Sequence, residues 1–487
     1  MTAYDEILYS GRSYPDTHPD RLATVATLFG MKPAAVERCR VLEVACGDAA
    51  NLLPMAYGLP ESEFVGFDLA ARPIEAGRRA AEHLGLLNLS LAVRDLAAFP
   101  ADAGAFDYIV AHGLYSWVPP EVRDRLLALL GRHLAPNGVA FVSYNVYPGC
   151  HLRRMVWEML RFHVDHLPDP GQRIAEAQTL ARLLANARAT ADEYSAVVRR
   201  ELEQVADRDP AALFHDDLAA TNDPVYFHEF ADHAARHGLQ FLGDAELQTM
   251  SYAGLTPQAR NVLAQLDLLT REQYLDFARC RRFRQTLLCR ADLALDREIG
   301  PEKADRFLLG ARAPVRLLGA SAKVDGSGTA EVALQALLDE AAEAAPRVLG
   351  VDELVARVRA RSGGAQPRLD DAHFLREMAF SAARAGGLQL HLRAPPLATE
   401  PGERPVASAV ARLQAEAGDI VTTLWHESVK LDDPLARALL PLLDGTRNRA
   451  ELVAALGSQL EREDGASPAE TLEAHLRHFA KIALLLA

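Results

Sequence analysis

Three carboxylates in the first hundred residues stand within or directly after apolar runs of the sequence. Glu43 interrupts the apolar run 41–46, and Asp68 and Asp95 each end a later run. An ionised carboxylate beside an apolar core costs free energy unless it has a partner, so these positions indicate a bound ligand. Carboxylates placed there can accept hydrogen bonds from the ribose hydroxyls and the amino groups of a nucleotide-like molecule.

The turn after the first apolar run distinguishes between two such ligands. A dinucleotide needs Gly-x-Gly-x-x-Gly for its pyrophosphate, whereas the turn Ala45-Cys46-Gly47-Asp48-Ala49 holds one glycine and an acid. A carboxylate repels pyrophosphate and attracts a cation. S-adenosylmethionine, with its sulfonium and amino groups, therefore fits this turn better than a nicotinamide dinucleotide does.

Alternating strand and helix patterns over the first 150 residues would position these acids. Strand patterns lie at 41–46, 63–68, 89–95, 106–112 and 138–145. Helical patterns lie between them near 50–57, 71–84 and 120–134. The alternation predicts parallel pairing and an α/β fold, a Rossmann-like doubly wound sheet. Ligands of such sheets bind beyond the carboxyl ends of the strands, which is where the acids occur.

The segment before the first strand has two interpretations. It carries Tyr4, Tyr9 and Tyr14 ahead of a helical pattern that reaches Leu28. The segment is either an N-terminal helix held on the first domain by aromatic anchors or a lid that closes on a ligand.

The pattern changes after residue 149. The later parts of the first domain are helices at 151–166 and 172–206, a helix at 223–238, a strand from Leu239 and its candidate hairpin mate at 247–252. Residues 257–295 have a helical pattern throughout, and the basic run 277–284 indicates a solvated helix face or a surface for an acidic partner. Three helical stretches before the strand-like 387–393 favour a winged-helix order.

These patterns divide the chain into four predicted domains. They are an S-adenosylmethionine-binding domain at 1–255 with a helical insertion at 151–212, a helical middle segment at 256–312, a winged-helix-like domain at 313–395 and a small C-terminal helical domain at 405–487, with linkers at 362–367 and 394–402.

Composition excludes several classes of protein. The net charge of −14 over 487 residues argues against nucleic-acid binding, which needs a basic surface. No apolar run approaches the roughly 18 residues of a membrane span, and the first residues lack a secretory signal. The five cysteines are scattered without a Cys-x-x-Cys pair, so we expect reduced thiols in the cytoplasm, with neither a disulfide framework nor a metal site.

Five elements of the sequence together resemble a known family. They are Glu43-x-Ala-x-Gly-x-Ala49, Asp68, Arg94-Asp95-Leu96, Phe106-Asp-Tyr-Ile-Val-Ala-His112 and Leu134-Ala-Pro-Asn-Gly-Val139. Their order and spacing over residues 38–150 resemble the motifs of class I S-adenosylmethionine-dependent methyltransferases. The family's first and third loop glycines are replaced here by Ala45 and Ala49, and a positive φ at Ala45 would indicate strain.

The whole chain also resembles a narrower bacterial group that carries a methyltransferase regulatory domain. The shared stretches are Tyr115-Ser-Trp-Val-Pro119, Ser143-Tyr-Asn-Val-Tyr-Pro-Gly149, His215-Asp-Asp-Leu218, Phe227-His-Glu-Phe230 and Arg281-Arg-Phe-Arg-Gln-Thr-Leu-Leu288. The group includes rickettsial protein-lysine methyltransferases. The resemblance implies a homodimer formed through the helical insertion, followed by middle and C-terminal domains.

Two sets of residues are the candidate site. The expected contacts of S-adenosylmethionine are Glu43, Ala45, Cys46, Gly47, Asp48, Asn51, Asp68, Leu69, Asp95, Leu96 and His112. The candidate catalytic residues are His112, Tyr115, Trp117, Tyr144, Asn145 and Tyr147. The aromatic side chains follow the fourth and fifth strands, where they could desolvate an amine and face a methylated cation. His112 is the candidate general base.

Three functions are compatible with this site. The first is methylation of lysine side chains in a protein substrate. The second is methylation of a small molecule or natural product, and the third is a regulatory protein that binds S-adenosylmethionine without turnover.

Overall fold

The computed structural model describes residues 3–7, 9, 11–187, 192–311, 328–362, 369–460 and 467–487. Residues 188–191 of the predicted helix 172–206 and residues 363–367 of the predicted linker lie outside these ranges.

A seven-stranded sheet forms the centre of the protein. Its strands are β1 (Arg40–Val44), β2 (Glu63–Asp68), β3 (Leu89–Val93), β4 (Phe106–Ala111), β5 (Leu134–Asn145), β6 (Leu239–Asp244) and β7 (Phe283–Arg290). They lie in the order β3-β2-β1-β4-β5-β7-β6, and the five strands from β3 to β5 are parallel. The predicted doubly wound α/β fold is therefore confirmed, and the carboxyl ends of β1 to β5 meet at one edge.

Helices cover both faces of this sheet. Those of the N-terminal half are α1 (Ala3–Glu6), α2 (Pro19–Leu28), α3 (Leu52–Gly58), α4 (Ala71–His83), α5 (Pro120–His133), α6 (Cys150–Val164), α7 (Pro170–Ala185), α8 (Glu193–Ala206), α9 (Pro210–Ala212) and α10 (Phe227–Arg236). One core contains apolar side chains of α2 to α4, including Leu22, Leu52 and Ile74. The other contains side chains of α5 and α10, including Leu126 and Phe230. Helices α6 to α8 have a core of their own, as expected of a helical insertion.

The prediction of helix throughout 257–295 is wrong over β7. This strand pairs antiparallel with both β5 and β6, and it buries Leu287, Leu288 and Cys289. The prediction that 247–252 is the hairpin mate of β6 is also wrong, because Leu247–Met250 forms a 3₁₀ turn and β7 occupies the position beside β6.

The basic run at 277–284 is likewise not a solvated helix face. Arg284 is 1% exposed, and its guanidinium donates hydrogen bonds to Asp244 in β6 and to Asp276 and Glu272. Buried charges are paired in this way because an isolated buried ion costs several kcal/mol. The run therefore ties β7 to the neighbouring elements.

The C-terminal half contains two smaller sheets with helices. Its elements are α11 (Pro257–Leu263), α12 (Leu268–Arg279), β8 (Leu308–Ala311), α13 (Gly328–Ala344), β9 (Leu349–Gly350), α14 (Val351–Ser362), α15 (Ala372–Arg384), β10 (Leu388–His391), α16 (Ala409–Ala417), β11 (Ile420–Thr422), β12 (Ser428–Lys430), α17 (Pro434–Leu439), α18 (Arg449–Leu456) and α19 (Pro468–Lys481). Strands β10, β8 and β9 form one sheet in that order, and β11 pairs with β12. Three helices precede β10, as the sequence predicted. None of the described helices is both long enough and apolar enough to cross a membrane.

Candidate functional site

The loop after β1 has a left-handed backbone at three residues. Ala45 has φ +58°, Gly47 has φ +55° and Ala49 has φ +59°. The left-handed conformation costs an L-residue other than glycine roughly 1–2 kcal/mol. The turn therefore forms as predicted, but both alanines that replace the family's glycines are strained.

Replacing Ala45 by glycine should stabilise the protein. Relief of about 1–2 kcal/mol of backbone strain exceeds the roughly 0.4–1 kcal/mol of extra entropy that glycine gives the unfolded chain. We expect the free energy of unfolding, measured in urea, to rise by about 0.5–1 kcal/mol. Ala50→Gly is the matched control in the same loop, since Ala50 lacks positive φ, and it should destabilise. Equal effects of the two changes would contradict this account.

Glu43 is a buried acid with one oxygen free to bind a ligand. Its side chain belongs to β1 and is 4% exposed. The Oε1 atom accepts a hydrogen bond of 2.9 Å from Asn51 Nδ2, whereas Oε2 has no hydrogen-bond partner among the described residues. Burial raises the pKa of Glu43 most, the Asn51 hydrogen bond opposes the rise, and the charges of Asp48 and Asp68 add to it, so that the pKa is about 8. An ammonium group would satisfy the free oxygen and stabilise the carboxylate, so the site fits the amino-acid tail of S-adenosylmethionine.

Asn51 connects Glu43 to residues that are far apart in the sequence. Its Oδ1 atom accepts hydrogen bonds of 2.9 Å from the Tyr14 backbone N–H and from His426 Nε2. Its Nδ2 atom donates to Thr17 Oγ1 as well as to Glu43. His426 is buried, and burial lowers its pKa well below the usual value, so its neutral ring fixes the orientation of the amide.

His426 could not be recognised as a site residue from the sequence. It lies 375 residues from Asn51 in the turn between β11 and β12, where it adopts φ +63°. No spacing rule connects positions so far apart, and an isolated histidine is not a motif. The unusual backbone becomes visible only in the structure.

Replacing His426 by alanine should weaken binding of the amino-acid tail and spare the nucleoside. Loss of the hydrogen bond frees the Asn51 amide to rotate away from Glu43, at a cost of about 1 kcal/mol. We expect the Kd of S-adenosylmethionine to rise about 5–10-fold. The Kd of 5′-methylthioadenosine, which lacks the amino-acid tail, should stay within about 2-fold. Parallel losses for both ligands in calorimetry would show that His426 acts only through folding.

Asp68, at the end of β2, makes a hydrogen bond to the loop after β1. Its Oδ2 atom accepts a hydrogen bond of 2.9 Å from the Gly47 backbone N–H, and its Oδ1 atom accepts one of 2.8 Å from Ala70 N–H. Burial raises the pKa of this carboxyl group. The neighbouring Leu69 is 58% exposed. Asp68 is thus held beside the glycine loop, as expected for an acid that binds ribose hydroxyls.

The remaining predicted cofactor contacts surround the same loop. Asp48 accepts hydrogen bonds from the Ala50 and Gly11 backbone N–H groups, and burial raises its pKa. Cys46 is buried, and a Cβ at Gly66 of β2 would lie 2.8 Å from its sulfur. Asp95 and Leu96 follow β3, where the exposed Asp95 caps the Ala97 N–H.

The N-terminal segment lies across this edge of the sheet. Tyr14 stacks on His112 with ring centroids 3.7 Å apart, and Tyr4 stacks on His215 at 4.1 Å. Asp5 accepts a hydrogen bond from the Arg72 backbone N–H at the start of α4. Its aromatic anchors are therefore present, and they cover the end of the sheet where the ligand would bind.

His112 is placed at the end of β4 but is a poor general base. Burial lowers its pKa to about 4, so the ring is neutral near pH 7 and holds protons weakly. A general base works best with a pKa near the operating pH. The ring already stacks on Tyr14 and lies near Phe141, so the role left to it is to accept a hydrogen bond through a ring nitrogen.

Tyr115 and Tyr144 are buried, which argues against the catalytic roles predicted for them. Tyr144 is 1% exposed, stacks on Phe230 of α10 at 4.0 Å and shares a hydrogen bond with Thr286. Tyr115 is 2% exposed and its hydroxyl shares a hydrogen bond with His233. Both rings pack into the core between the sheet and α10, on the side away from the loop after β1.

The other three candidate catalytic residues lie at the edge of the sheet. Asn145 ends β5, and its Nδ2 donates a hydrogen bond of 2.9 Å to Asn222. Tyr147 stacks on His151 at 4.1 Å and is half-buried. Trp117 is also half-buried. The Asn145 backbone N–H donates to the side chain of Ser116, which joins the 115–117 turn to β5.

Two aromatic neighbours of Tyr147 were missing from the predicted set. The Tyr226 and Tyr147 ring centroids are 5.3 Å apart, and His151 lies in the first turn of α6. The sequence signal for Tyr226 is its position directly before Phe227-His-Glu-Phe230, one of the stretches shared with the bacterial group.

Known proteins resemble this chain over the same regions. Three family models match it: "Methyltransferase domain" over residues 41–138, "Predicted methyltransferase regulatory domain" over 209–290 and "PKMT, C-terminal winged helix domain" over 403–478. The winged-helix match falls on the region predicted as a small helical domain, whereas the sequence placed winged-helix order at 313–395. Strands β11 and β12 have three residues each, too few to give a pattern in the sequence.

Two rickettsial sequences and one solved structure are similar to the chain. Uncharacterized protein RP028 of Rickettsia prowazekii is 31% identical over 241 residues, which cover 49% of this chain and 96% of that protein. Uncharacterized protein RP789 of the same organism is 35% identical over 306 residues, or 62% of this chain and 55% of RP789. The chain thus spans about half the length of RP789. The structure of PKMT2 from Rickettsia typhi is 26% identical with a TM-score of 0.86, covering 98% of this chain and 100% of PKMT2.

The fold, the acids and these matches define the class of the protein. It belongs to the class I S-adenosylmethionine-dependent methyltransferases that carry a methyltransferase regulatory domain. Within that family, its structure is similar over nearly its whole length to PKMT2, which has also been solved in complex with AdoHcy. The cofactor is therefore S-adenosylmethionine.

Proposed function

We propose that this protein transfers the methyl group of S-adenosylmethionine to lysine side chains of a protein substrate. The observation that carries the proposal is the similarity to PKMT2, which includes the insertion and the C-terminal domains as well as the cofactor-binding sheet. Small-molecule methylation and cofactor binding without turnover are the alternatives. The proposed compartment is the cytoplasm.

The residues around the first loop would hold the cofactor. Glu43 would bind its ammonium group, Asp68 its ribose hydroxyls and Asp95 its adenine amino group. When bound, the cofactor supplies an electrophilic sulfonium methyl group. Because methyl transfer needs in-line geometry more than covalent help, the protein acts mainly by positioning and desolvating the acceptor.

The acceptor amine must first lose its proton. A lysine with a pKa near 10.4 is only about 0.1% neutral near pH 7.4, and a shift of about 3 units corresponds to roughly 4 kcal/mol. Burial of the amine against Trp117, Tyr147 and Tyr226 would lower its pKa by desolvation. Their ring faces would also stabilise the methylated cation, and the Asn145 amide oxygen and the neutral His112 ring would accept its hydrogen bonds.

Binding of S-adenosylmethionine should release protons near pH 7. The pKa of Glu43 is raised to about 8, so below that pH the empty site holds a protonated acid, and a bound ammonium favours its carboxylate. We expect affinity to rise from pH 6 to about pH 7.5, above which the ligand's own α-amino group begins to lose its charge. Calorimetry in two buffers of different ionisation enthalpy measures the released protons.

The controls for this linkage are Glu43→Gln and 5′-methylthioadenosine. The glutamine variant should bind the cofactor without releasing protons, and the tail-less ligand should release none from the native protein. Proton release that persists in Glu43→Gln would assign the linkage to another acid, such as Asp48.

The proposal includes a homodimer formed through the helical insertion. A largely apolar groove on α6 and α7 supports it. Phe162 is 92% exposed and lines the groove with Met155, Met159, Leu180 and Leu184, beside the polar Glu158 and His163. Soluble monomers rarely expose such a contiguous patch. A dimer mass by light scattering, reduced to the monomer by Phe162→Glu, is the expected result; a monomeric native protein would reject the dimer.

The predicted domain bounds are also proposed, with β7 assigned to the sheet of the first domain.

One experiment distinguishes the acceptors. The purified protein is incubated with methyl-labelled S-adenosylmethionine and cell lysate, then protein and small-molecule fractions are separated and the labelled protein is hydrolysed. Label in methyl-lysine that depends on Asp68 supports the proposal. Label only in the small-molecule fraction would support the first alternative, and binding without transfer of label the second.

A further inference from the structure

Two histidines at the end of α10 face a carboxylate on α5, outside the cofactor site. His233 lies in the last turn of α10, and His237 directly follows the helix. The Nε2 atoms of the two rings lie 3.1 and 2.8 Å from the same oxygen, Asp124 Oδ1. All three ligand atoms lie within 4.8 Å of one another.

We propose that Asp124, His233 and His237 bind a divalent metal ion of the zinc class. Imidazole nitrogen and carboxylate oxygen are ordinary zinc ligands at about 2.0–2.2 Å, and two such ligands at a tetrahedral angle lie roughly 3.3–3.5 Å apart. The observed separations are slightly shorter. The Asp124 side chain is 59% exposed, so a small outward movement admits the ion and leaves a coordination position for water.

A second interaction orients one of the two rings. The Tyr115 hydroxyl lies 2.9 Å from Nδ1 of His233. When that oxygen accepts from Nδ1–H, the Nε2 lone pair points at Asp124, an arrangement that needs a cation between them. Metal-binding histidines commonly have their other ring nitrogen held in this way, because it fixes the tautomer and the ring direction.

Packing of the two helices keeps the ligands close together. A side chain at Gly131 of α5 would collide with the His237 carbonyl oxygen, so glycine allows the end of α10 to approach. The nearby charge of Arg236 opposes a cation, and the Asp124 carboxylate offsets it. The prediction of no metal site rested on the spacing of the cysteines, whereas the ligands here are two histidines and an aspartate on separate elements.

The site would join two parts of the protein. Helix α5 lies in the region matched by the methyltransferase model, and α10 lies in the region matched by the regulatory-domain model. A bound ion would join these regions through its ligands, Asp124 on one side and the two histidines on the other. Tyr115, in the turn beyond β4, would hold the His233 ring in place. The inference does not depend on methyl transfer.

Calorimetry of the metal-free full-length chain with Zn²⁺ tests the site, and visible absorption with Co²⁺ reports the ligands. We expect one saturable ion per chain. His233→Ala, His237→Ala and Asp124→Asn should each lower zinc affinity at least about 10-fold, and Tyr115→Phe about 10-fold through the ring it orients. His475→Ala is the matched control, since His475 also contacts a carboxylate, Asp433, at 2.7 Å, and it should bind zinc normally.

Urea unfolding without metal establishes that each variant is folded before its affinity is compared. Three results would overturn the proposal: no saturable binding by the native chain, wild-type affinity in both histidine variants, or sulfur-to-cobalt charge-transfer bands that place the ion on a cysteine.

Discussion

Replacing Asp68 by alanine should weaken binding of S-adenosylmethionine by about 1–3 kcal/mol, the usual cost of removing a charged hydrogen-bond partner. At 25 °C this corresponds to a Kd about 5–150 times higher. The expectation is strengthened by the two backbone N–H groups, of Gly47 and Ala70, that hold the carboxylate beside the loop. Alanine would leave both donors without their acceptor, so the loop geometry would be lost together with the ribose contact.

Two further variants separate these contributions. Asp68→Asn keeps an acceptor for one of the N–H groups and removes the charge, so its loss should be smaller than that of alanine. Asp95→Ala removes an exposed carboxylate, and its effect should be smaller still. Titration calorimetry measures all three, and an unchanged Kd for Asp68→Ala would mean that the ribose is bound elsewhere.

The largest effect on stability is expected at Arg284. Replacement by methionine removes the cation shared by Asp244, Asp276 and Glu272. It should lower the free energy of unfolding by about 3–5 kcal/mol, because three buried carboxylates lose a partner and only two of them keep Arg281. The guanidinium also lies 4.0 Å from the ring centroid of Phe227. Lysine should not rescue the loss, since its single ammonium cannot reproduce the guanidinium's several directed donors.

Arg290→Met is the matched control on the same strand. Arg290 pairs with the exposed Asp292, and such surface pairs contribute about 0–1 kcal/mol. Urea unfolding followed by circular dichroism measures both variants. A loss below about 1 kcal/mol for Arg284→Met would show that Arg281, which also contacts Asp244 and Asp276, is sufficient alone.

The Arg284 interactions also bear on the proposed acceptor site. In the sheet, Arg284 is opposite Tyr144 and Phe283 is opposite Asn145. Anchoring β7 therefore fixes the end of β5, from which Asn145 and Tyr147 reach the edge of the sheet. A partly folded Arg284 variant should lose methyl transfer before it loses cofactor binding at β1 and β2.

The first half of the sheet could be predicted from the sequence because its signals are local. Each parallel strand is a short apolar run, and Glu43, Asp68 and Asp95 occupy the ends or interior of such runs. Strand β7 could not be recognised in this way. Its arginines resemble an exposed helix face until Asp244, Asp276 and Glu272, on other elements, are seen beside them.

The candidate site was predictable to a similar extent. Placement after a strand correctly located Asn145, Tyr147 and Trp117 at the edge of the sheet. It did not give the direction of each ring, which depends on where α10 packs, and so the burial of Tyr115 and Tyr144 was not predicted. His426 depends on a contact between distant domains, which no local pattern encodes.

The contact between His426 and Asn51 can form only after both residues have been synthesised. A ribosome adding about 5–20 residues per second needs roughly 20–75 s to synthesise the 375 residues that separate them. Throughout that interval the β1 loop of a nascent chain lacks the imidazole that fixes the Asn51 amide. If His426 contributes as predicted, a nascent chain gains the last 5–10-fold in cofactor affinity only after β11 and β12 have emerged.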